Sequence, residues 1–174
     1  MKFYMTPGSC STGIHILLEE LELTFEVYLV NLMAGDHLKP ENLAVNPKAT
    51  IPTLVRDDGS SITEFQAIAW WLARRYPKAK LLPEEIDGEV RVIESLDYVV
   101  GTIHGQGYTR IFTTNNYSPN KADHEAIQAR GREIVAKGFA VLNDVLADKE
   151  YVAGRFRIAD AALSDATLQF SLDR

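Results

Sequence analysis

Met1-Lys2-Phe3-Tyr4-Met5-Thr6-Pro7-Gly8-Ser9-Cys10-Ser11 sets a strand, a turn and a helix start in immediate succession. Lys2 to Met5 reads as a strand, and Thr12 to Leu21 puts Ile14, Leu17, Leu18 and Leu21 at helical spacing. The chain's only cysteine, Cys10, falls between them. A helix start carries N–H groups without intrahelical partners, and these together with the helix dipole stabilise a thiolate or another anion. Two readings of Cys10 stand side by side: a small buried hydrophobe, the usual state of a lone cysteine, or a functional thiol. Pro7, Gly8, Ser9 and Ser11 are turn and cap formers that argue for a bend near solvent, which brings the second reading level with the first.

The α/β alternation continues to residue 76. Phe25 to Val30 sets Phe25, Val27 and Leu29 against Glu26, Tyr28 and Val30, a strand with one face more apolar than the other. After a polar loop, Pro52 to Val55 supplies a third strand, and Asp57-Asp58-Gly59-Ser60 is a hairpin turn into a short fourth strand at Ser61-Ile62. Thr63 is placed to cap a helix running through Arg75, with Gln66 completing a capping box, and Tyr76-Pro77 stops it. Two spots here suit a ligand. A cis bond at Ile51-Pro52 would expose the backbone N–H and C=O of Ile51. At Thr63-Glu64-Phe65, helix-start N–H groups suit a carboxylate and the Glu64 side chain suits an ammonium group; the plainer reading of Glu64 is an acid that favours the helix dipole.

From Asp87 onward the pattern is helical. Val90, Ile93, Leu96, Asp97 and Val100 span one long helix, and Ala122 to Leu146 spans another with Ile127, Ile134, Val141 and Val145 apolar. The chain therefore divides into an α/β domain over 1–76, a linker over 77–88 that contains Leu81-Leu82-Pro83, and an all-helical domain over 89–174. A formal charge of -6 and the lack of a Lys/Arg stripe argue against nucleic acid as a partner. One cysteine, no basic-then-apolar leader and no long uncharged apolar run lead to the expectation of a cytoplasmic protein with no membrane partner. His15, His37, His104 and His124 are scattered without an HxxxH or Cys/His cluster, so no metal is expected.

These residues resemble a known family. The frame Met1 to Ser11, then Leu18-Glu19-Glu20-Leu21, Asn46-Pro47-Lys48-Ala49-Thr50-Ile51-Pro52-Thr53-Leu54, Asp58-Gly59 and Ile62-Thr63-Glu64, is similar to the thioredoxin-like N-terminal domain of bacterial glutathione transferases, the beta class above all. Phe156-Arg157-Ile158-Ala159-Asp160-Ala161-Ala162-Leu163 resembles the N-capping and staple segment that starts the core helix of that family's all-α C-terminal domain. The resemblance spans about residues 1 to 163. It implies that glutathione is the co-substrate and that Ile51 presents its backbone to the cysteinyl part, with Pro52 in cis. Glu64 and the N–H of Phe65 are implied to hold the γ-glutamyl end. Cys10 is implied to lie beside the glutathione sulfur, with Ser11 close enough to donate a hydrogen bond and His104 projecting toward the same sulfur. Asp97 takes the place of a polar residue that reaches across from the helical domain, and Asp160 is structural.

The activity so implied is detoxifying conjugation of the glutathione thiolate to small hydrophobic electrophiles by a two-fold homodimer, with Tyr108, Ile111 and Phe112 lining the electrophile site. The same parts suit a thiol transferase or peroxidase that works through a Cys10 mixed disulfide, a dehalogenase or isomerase, or a non-catalytic glutathione-binding protein. Two departures bear on this. Phe65 stands where family members often carry a small serine or alanine. After Leu163 the family continues with an aromatic-rich core helix and further helices, where this chain gives Ser164 to Arg174, so the helical domain is shortened relative to the family and one wall of the electrophile site is in question.

Overall fold

The computed structural model describes residues 1–172, so Asp173 and Arg174, at the end of the expected helical domain, lie outside the described residues. By contacts the chain forms two compact units, one made of Met1–Leu82 with the residues from Ala161 onward, the other of Pro83–Asp160.

In the first unit, β1 (Lys2–Met5) leads through α1 (Ser11–Glu20) to β2 (Glu26–Leu29), a β-α-β arrangement in which β1 and β2 run parallel. A short 3-10 turn, Asp36–Leu38, and α2 (Pro40–Val45) then lead to β3 (Thr53–Val55) and β4 (Ser61–Thr63), both in antiparallel pairing. The strand order is β2-β1-β3-β4. α3 (Phe65–Arg75) follows β4 directly and ends where Tyr76 leaves helical geometry before Pro77. This is the thioredoxin-like arrangement expected from the sequence. Phe3 and Met5 on β1, Ile14, Leu17 and Leu18 on α1, Leu54 on β3, and Ile68 and Leu72 on α3 are buried together, each contributing about 1.5–3 kcal/mol of burial.

Two local expectations are corrected. β2 has no buried face: it is an edge strand exposed along its length, with Leu29 at 68 % exposure. Thr63 is not the cap of α3, because it is the last residue of β4 and pairs with Thr53; the cap position is Glu64.

In the second unit α4 (Ile86–Asp97) starts with Glu85 accepting the N–H groups of Asp87 and Gly88. It runs on into a π-helical stretch, Tyr98–Tyr108, and then α5 (Thr109–Phe112). Gly101, Gly105 and Gly107, together with β-branched Val99, Val100, Thr102 and Ile103, weaken regular α-helix there. α6 (His124–Val145) packs against this stretch through Gly131 and Gly138: a Cβ on Gly138 would fall 2.5 Å from Ile103 Cγ1, and one on Gly131 2.8 Å from the Gly107 carbonyl oxygen. The last helix, α7 (Ile158–Leu172), begins with Asp160 accepting the N–H groups of Arg157 at 2.8 Å and Val152 at 2.9 Å. Among the described residues, no helix is long and apolar enough to cross a membrane.

Candidate functional site

The antiparallel pairing of β3 with β4 sets Thr53 opposite Thr63, so the Ile51-Pro52 segment before β3 and the Glu64-Phe65 segment after β4 emerge side by side. The Ile51–Pro52 bond is cis. Asn46, itself buried, holds the loop that leads into it: its amide donates to the Thr50 carbonyl at 2.8 Å and the Thr53 hydroxyl at 3.0 Å, and its carbonyl oxygen accepts the Lys48 N–H at 3.1 Å. The Cys10 thiol donates to the Ile51 carbonyl across 3.6 Å. Cys10, Ile51, Pro52 and the start of α3 thus belong to one corner of the first unit.

Within that corner the two helix starts differ. At α1 the Ser9 carbonyl accepts the Thr12 N–H at 2.9 Å, and the Ser9 hydroxyl accepts the Ser11 N–H at 3.3 Å. Ser11 is fully buried; its hydroxyl accepts the Thr6 N–H and donates to the Thr6 carbonyl, both at 3.0 Å. That hydroxyl holds the turn in place. Burial pushes the Cys10 thiol up to about 12, with the negative charge of Asp165 adding to it; the N–H groups of Cys10 and Ser11 pull the other way, and Glu64 adds a smaller upward push. The thiolate expected at this helix start is therefore not the stable form near neutral pH: the N–H groups are present, but desolvation outweighs them.

At α3 no side chain caps the helix, so its first N–H groups, that of Phe65 among them, have no intrahelical partner. Glu64 holds φ 72° and ψ 130°, a left-handed conformation that costs a non-glycine residue about 1–3 kcal/mol. Its carboxylate accepts Lys48 Nζ at 2.7 Å, and Lys48 also donates to the Thr63 hydroxyl at 2.9 Å. Lys48 and Glu64 are both more than half exposed, so this pair is worth about 0–1 kcal/mol and yields readily to a competing cation. The buried Phe65 ring covers Gly13 of α1, where a Cβ would fall 2.8 Å from the ring carbons. That packing explains an aromatic residue at this position, since the ring faces the core and the backbone N–H remains at the helix start.

The second unit carries five further residues expected from the sequence, His104, Asp97, Tyr108, Ile111 and Phe112. His104, in the π-helical stretch, is half-buried, and burial holds its imidazole below the ordinary value, so it is neutral near pH 7. Its ring meets that of Tyr108 edge-on at 6.3 Å. Asp97 is exposed at the end of α4. Of the three residues expected to line an electrophile site, Tyr108 and Ile111 are buried in the core of this unit, and Phe112 alone presents surface. Among the described residues no group of three or more His, Cys, Asp or Glu is arranged to hold a metal ion.

Two participants escaped the sequence reading. Lys48 was legible only as part of the Asn46 to Leu54 frame, without a partner. Asp165, buried in α7, lies in a stretch with no motif of its own.

A family model described as "Glutathione S-transferase, N-terminal domain" matches residues 8–75. Glutathione S-transferase GstA of Escherichia coli O157:H7 is 35% identical over 173 residues, covering 94% of this chain and 79% of its own. Among solved structures, a glutathione transferase homologue from Sulfitobacter with bound glutathione superposes with a TM-score of 0.91 at 25% identity, covering 99% of this chain and 83% of its own. A sphingomonad glutathione S-transferase complexed with glutathione superposes at 0.84 and 27% identity, covering 99% and 84%.

Proposed function

Because the chain belongs to the glutathione transferase family, we propose that it conjugates glutathione to small hydrophobic electrophiles at the corner formed by Ile51-Pro52, Glu64-Phe65 and Cys10. It is an enzyme with glutathione as co-substrate. The observation that carries the site assignment is the convergence, side by side, of the segment that enters β3 with an uncapped helix start. A peptide ligand pairs with the main-chain groups that precede such a strand, and a carboxylate docks on such a helix start.

In this reading the Ile51 backbone, whose carbonyl holds only the weak Cys10 S–H contact, pairs with the cysteinyl part of glutathione. The Phe65 N–H takes the γ-glutamyl carboxylate. Glu64 exchanges its weak partner Lys48 for the ligand ammonium. Glutathione's thiol is a weak nucleophile near neutral pH and needs donors to its thiolate. Cys10, protonated, supplies one by turning its S–H from the Ile51 carbonyl to the glutathione sulfur. Ser11 keeps the turn that aims Cys10. The sulfur then attacks the electrophilic carbon, its leaving group departs, and the conjugate is released.

The high value of the Cys10 thiol supports conjugation over exchange chemistry, since a mixed disulfide forms by thiolate attack. Residues 1–76 are then the glutathione-binding domain, 77–88 the linker and 89–174 the helical domain. A two-fold homodimer in the cytoplasm completes the proposal, and a monomer mass by light scattering would end that part of it. The conjugation itself is tested by turnover of a chlorodinitrobenzene-type electrophile with the intact chain and with Cys10→Ala. Turnover that falls but survives in the variant supports Cys10 as a donor, and unchanged turnover removes it from that role. Turnover that vanishes with it, accompanied by disulfide reduction in the intact chain, moves the assignment to thiol transfer.

A further inference from the structure

The π-helical stretch returns to α-helix at Thr109, and the junction leaves a carbonyl to be satisfied by other means. A π-helical N–H reaches back five residues and an α-helical one four, so the change from the first to the second passes over one carbonyl. The Thr109 N–H donates to the His104 carbonyl, five residues back, where an α-helix would send it to Gly105. The Thr109 side chain covers the difference: its hydroxyl donates to the Gly105 carbonyl at 2.6 Å.

Neighbouring side chains hold that hydroxyl in place. Its oxygen lies 2.6 Å from the Tyr117 hydroxyl, and because its single proton goes to the carbonyl, Tyr117 is the donor there. Arg110 lies over the Tyr117 ring, 4.6 Å from its centre, and donates to the Gln106 carbonyl at 2.6 Å. A threonine hydroxyl bonded four residues back is common in helices, and Thr113 shows the ordinary form: its hydroxyl and its N–H both go to the Thr109 carbonyl. At Thr109 the two donors part, the N–H to His104 and the hydroxyl to Gly105.

We propose that Thr109 is a positioning residue for His104: its hydroxyl stands in for its own N–H at the Gly105 carbonyl and so holds the π register in which the imidazole meets the Tyr108 ring edge-on. In an α register the Thr109 N–H goes to Gly105, and the residues up to His104 turn by about 100° about the helix axis relative to α5. Ile103 against Gly138 and Gly107 against Gly131 pack the buried side of the stretch, and the Thr109 hydroxyl acts on its exposed side. That His104 serves the bound glutathione, as the family resemblance implies, rests on the conjugation reading above; the hold on the helix register does not.

Isotope labelling makes the register readable, because a backbone nitrogen couples by NMR to the carbonyl carbon that its hydrogen bond reaches. In the intact chain the nitrogen of residue 109 should couple to the His104 carbonyl carbon. Thr109→Val keeps the shape and removes the hydroxyl; it should transfer that coupling to Gly105 and shift the His104 ring protons. Thr109→Ser should keep both at their intact values. Thr109→Ala carries the same comparison if the valine variant folds poorly. A valine variant that keeps the His104 coupling overturns the proposal, since packing on α6 is then sufficient. So does a serine variant that behaves as the valine one, which makes the methyl group the cause. Conjugation of glutathione to a chlorodinitrobenzene-type electrophile is measured on the same samples. Its absence in the intact chain would count against the conjugation reading and leave the register comparison standing.

Discussion

The starts of α1 and α3 lie in the same unit and were read from the sequence as the same device, a helix end that favours negative charge. At α1 the Thr12 N–H is taken by Ser9, and burial of the thiol outweighs what the Cys10 and Ser11 N–H groups return to it. At α3 the first N–H groups are uncapped, the carboxylate is exposed and the backbone is held in a strained conformation. Having a helix start is thus not enough to hold an anion. The donors must be open to the ligand, and the desolvation of the group must cost less than they return. The α3 start leaves its donors open, as the proposed carboxylate site requires, and the α1 start does not meet the condition for a thiolate.

The largest expected effect joins the two starts. Phe65→Ala empties the space over Gly13 and is expected to cost about 3–5 kcal/mol in urea unfolding. A cost below 1 kcal/mol would mean that the ring does not couple α3 to α1. Next comes the burden of Asp165. Its folded-state value of about 7 lies above the ordinary 3.8, so its contribution to stability is fully present below about 3.8 and lost as pH rises through about 7. Between pH 5 and pH 8 the intact chain should lose about 3 kcal/mol from this group, and Asp165→Asn should flatten that slope. Equal slopes in the two proteins would remove the burden assigned to the α1 side.

Gly13→Ala approaches the Phe65 contact from the opposite side, and overpacking should destabilise by about 1–3 kcal/mol. A stabilising alanine, as helix propensity alone would give, would show that the helices have room to part. The smallest effect is at the exposed pair: Lys48→Ala should change stability by less than about 1 kcal/mol, while freeing Glu64 for a ligand ammonium. Weaker glutathione binding in that variant would instead make Lys48 part of the site.

Most of the first unit was legible because its signals are local. Lys2 to Met5, the apolar stripe of Ile14, Leu17 and Leu18, the Asp57 to Ser60 turn and the Tyr76-Pro77 stop each follow from residue types and spacing. β2 misled because its alternating apolar residues lie on an edge strand whose outer side the first unit does not cover. Thr63 misled because ladder pairing with Thr53 took it before the helix did. The π-helical stretch reads as ordinary helix, since its change in hydrogen bonding depends on packing against Gly131 and Gly138. In the candidate site, Cys10, Ile51, Pro52, Glu64 and Phe65 were legible from the motif frame. The state of the thiol was not, because it depends first on burial in the folded unit and then on the charge of Asp165, far along the chain.

The central claim is that glutathione is held at the start of α3. Calorimetric titration of glutathione into the intact chain and into Glu64→Ala, with circular dichroism confirming that both are folded, tests it most directly. Saturable binding to the intact chain, weakened about tenfold or more in the variant, is the expected result, a loss of about 1.4 kcal/mol or more. Equal affinity for the two proteins, or no binding to a folded intact chain, would contradict it.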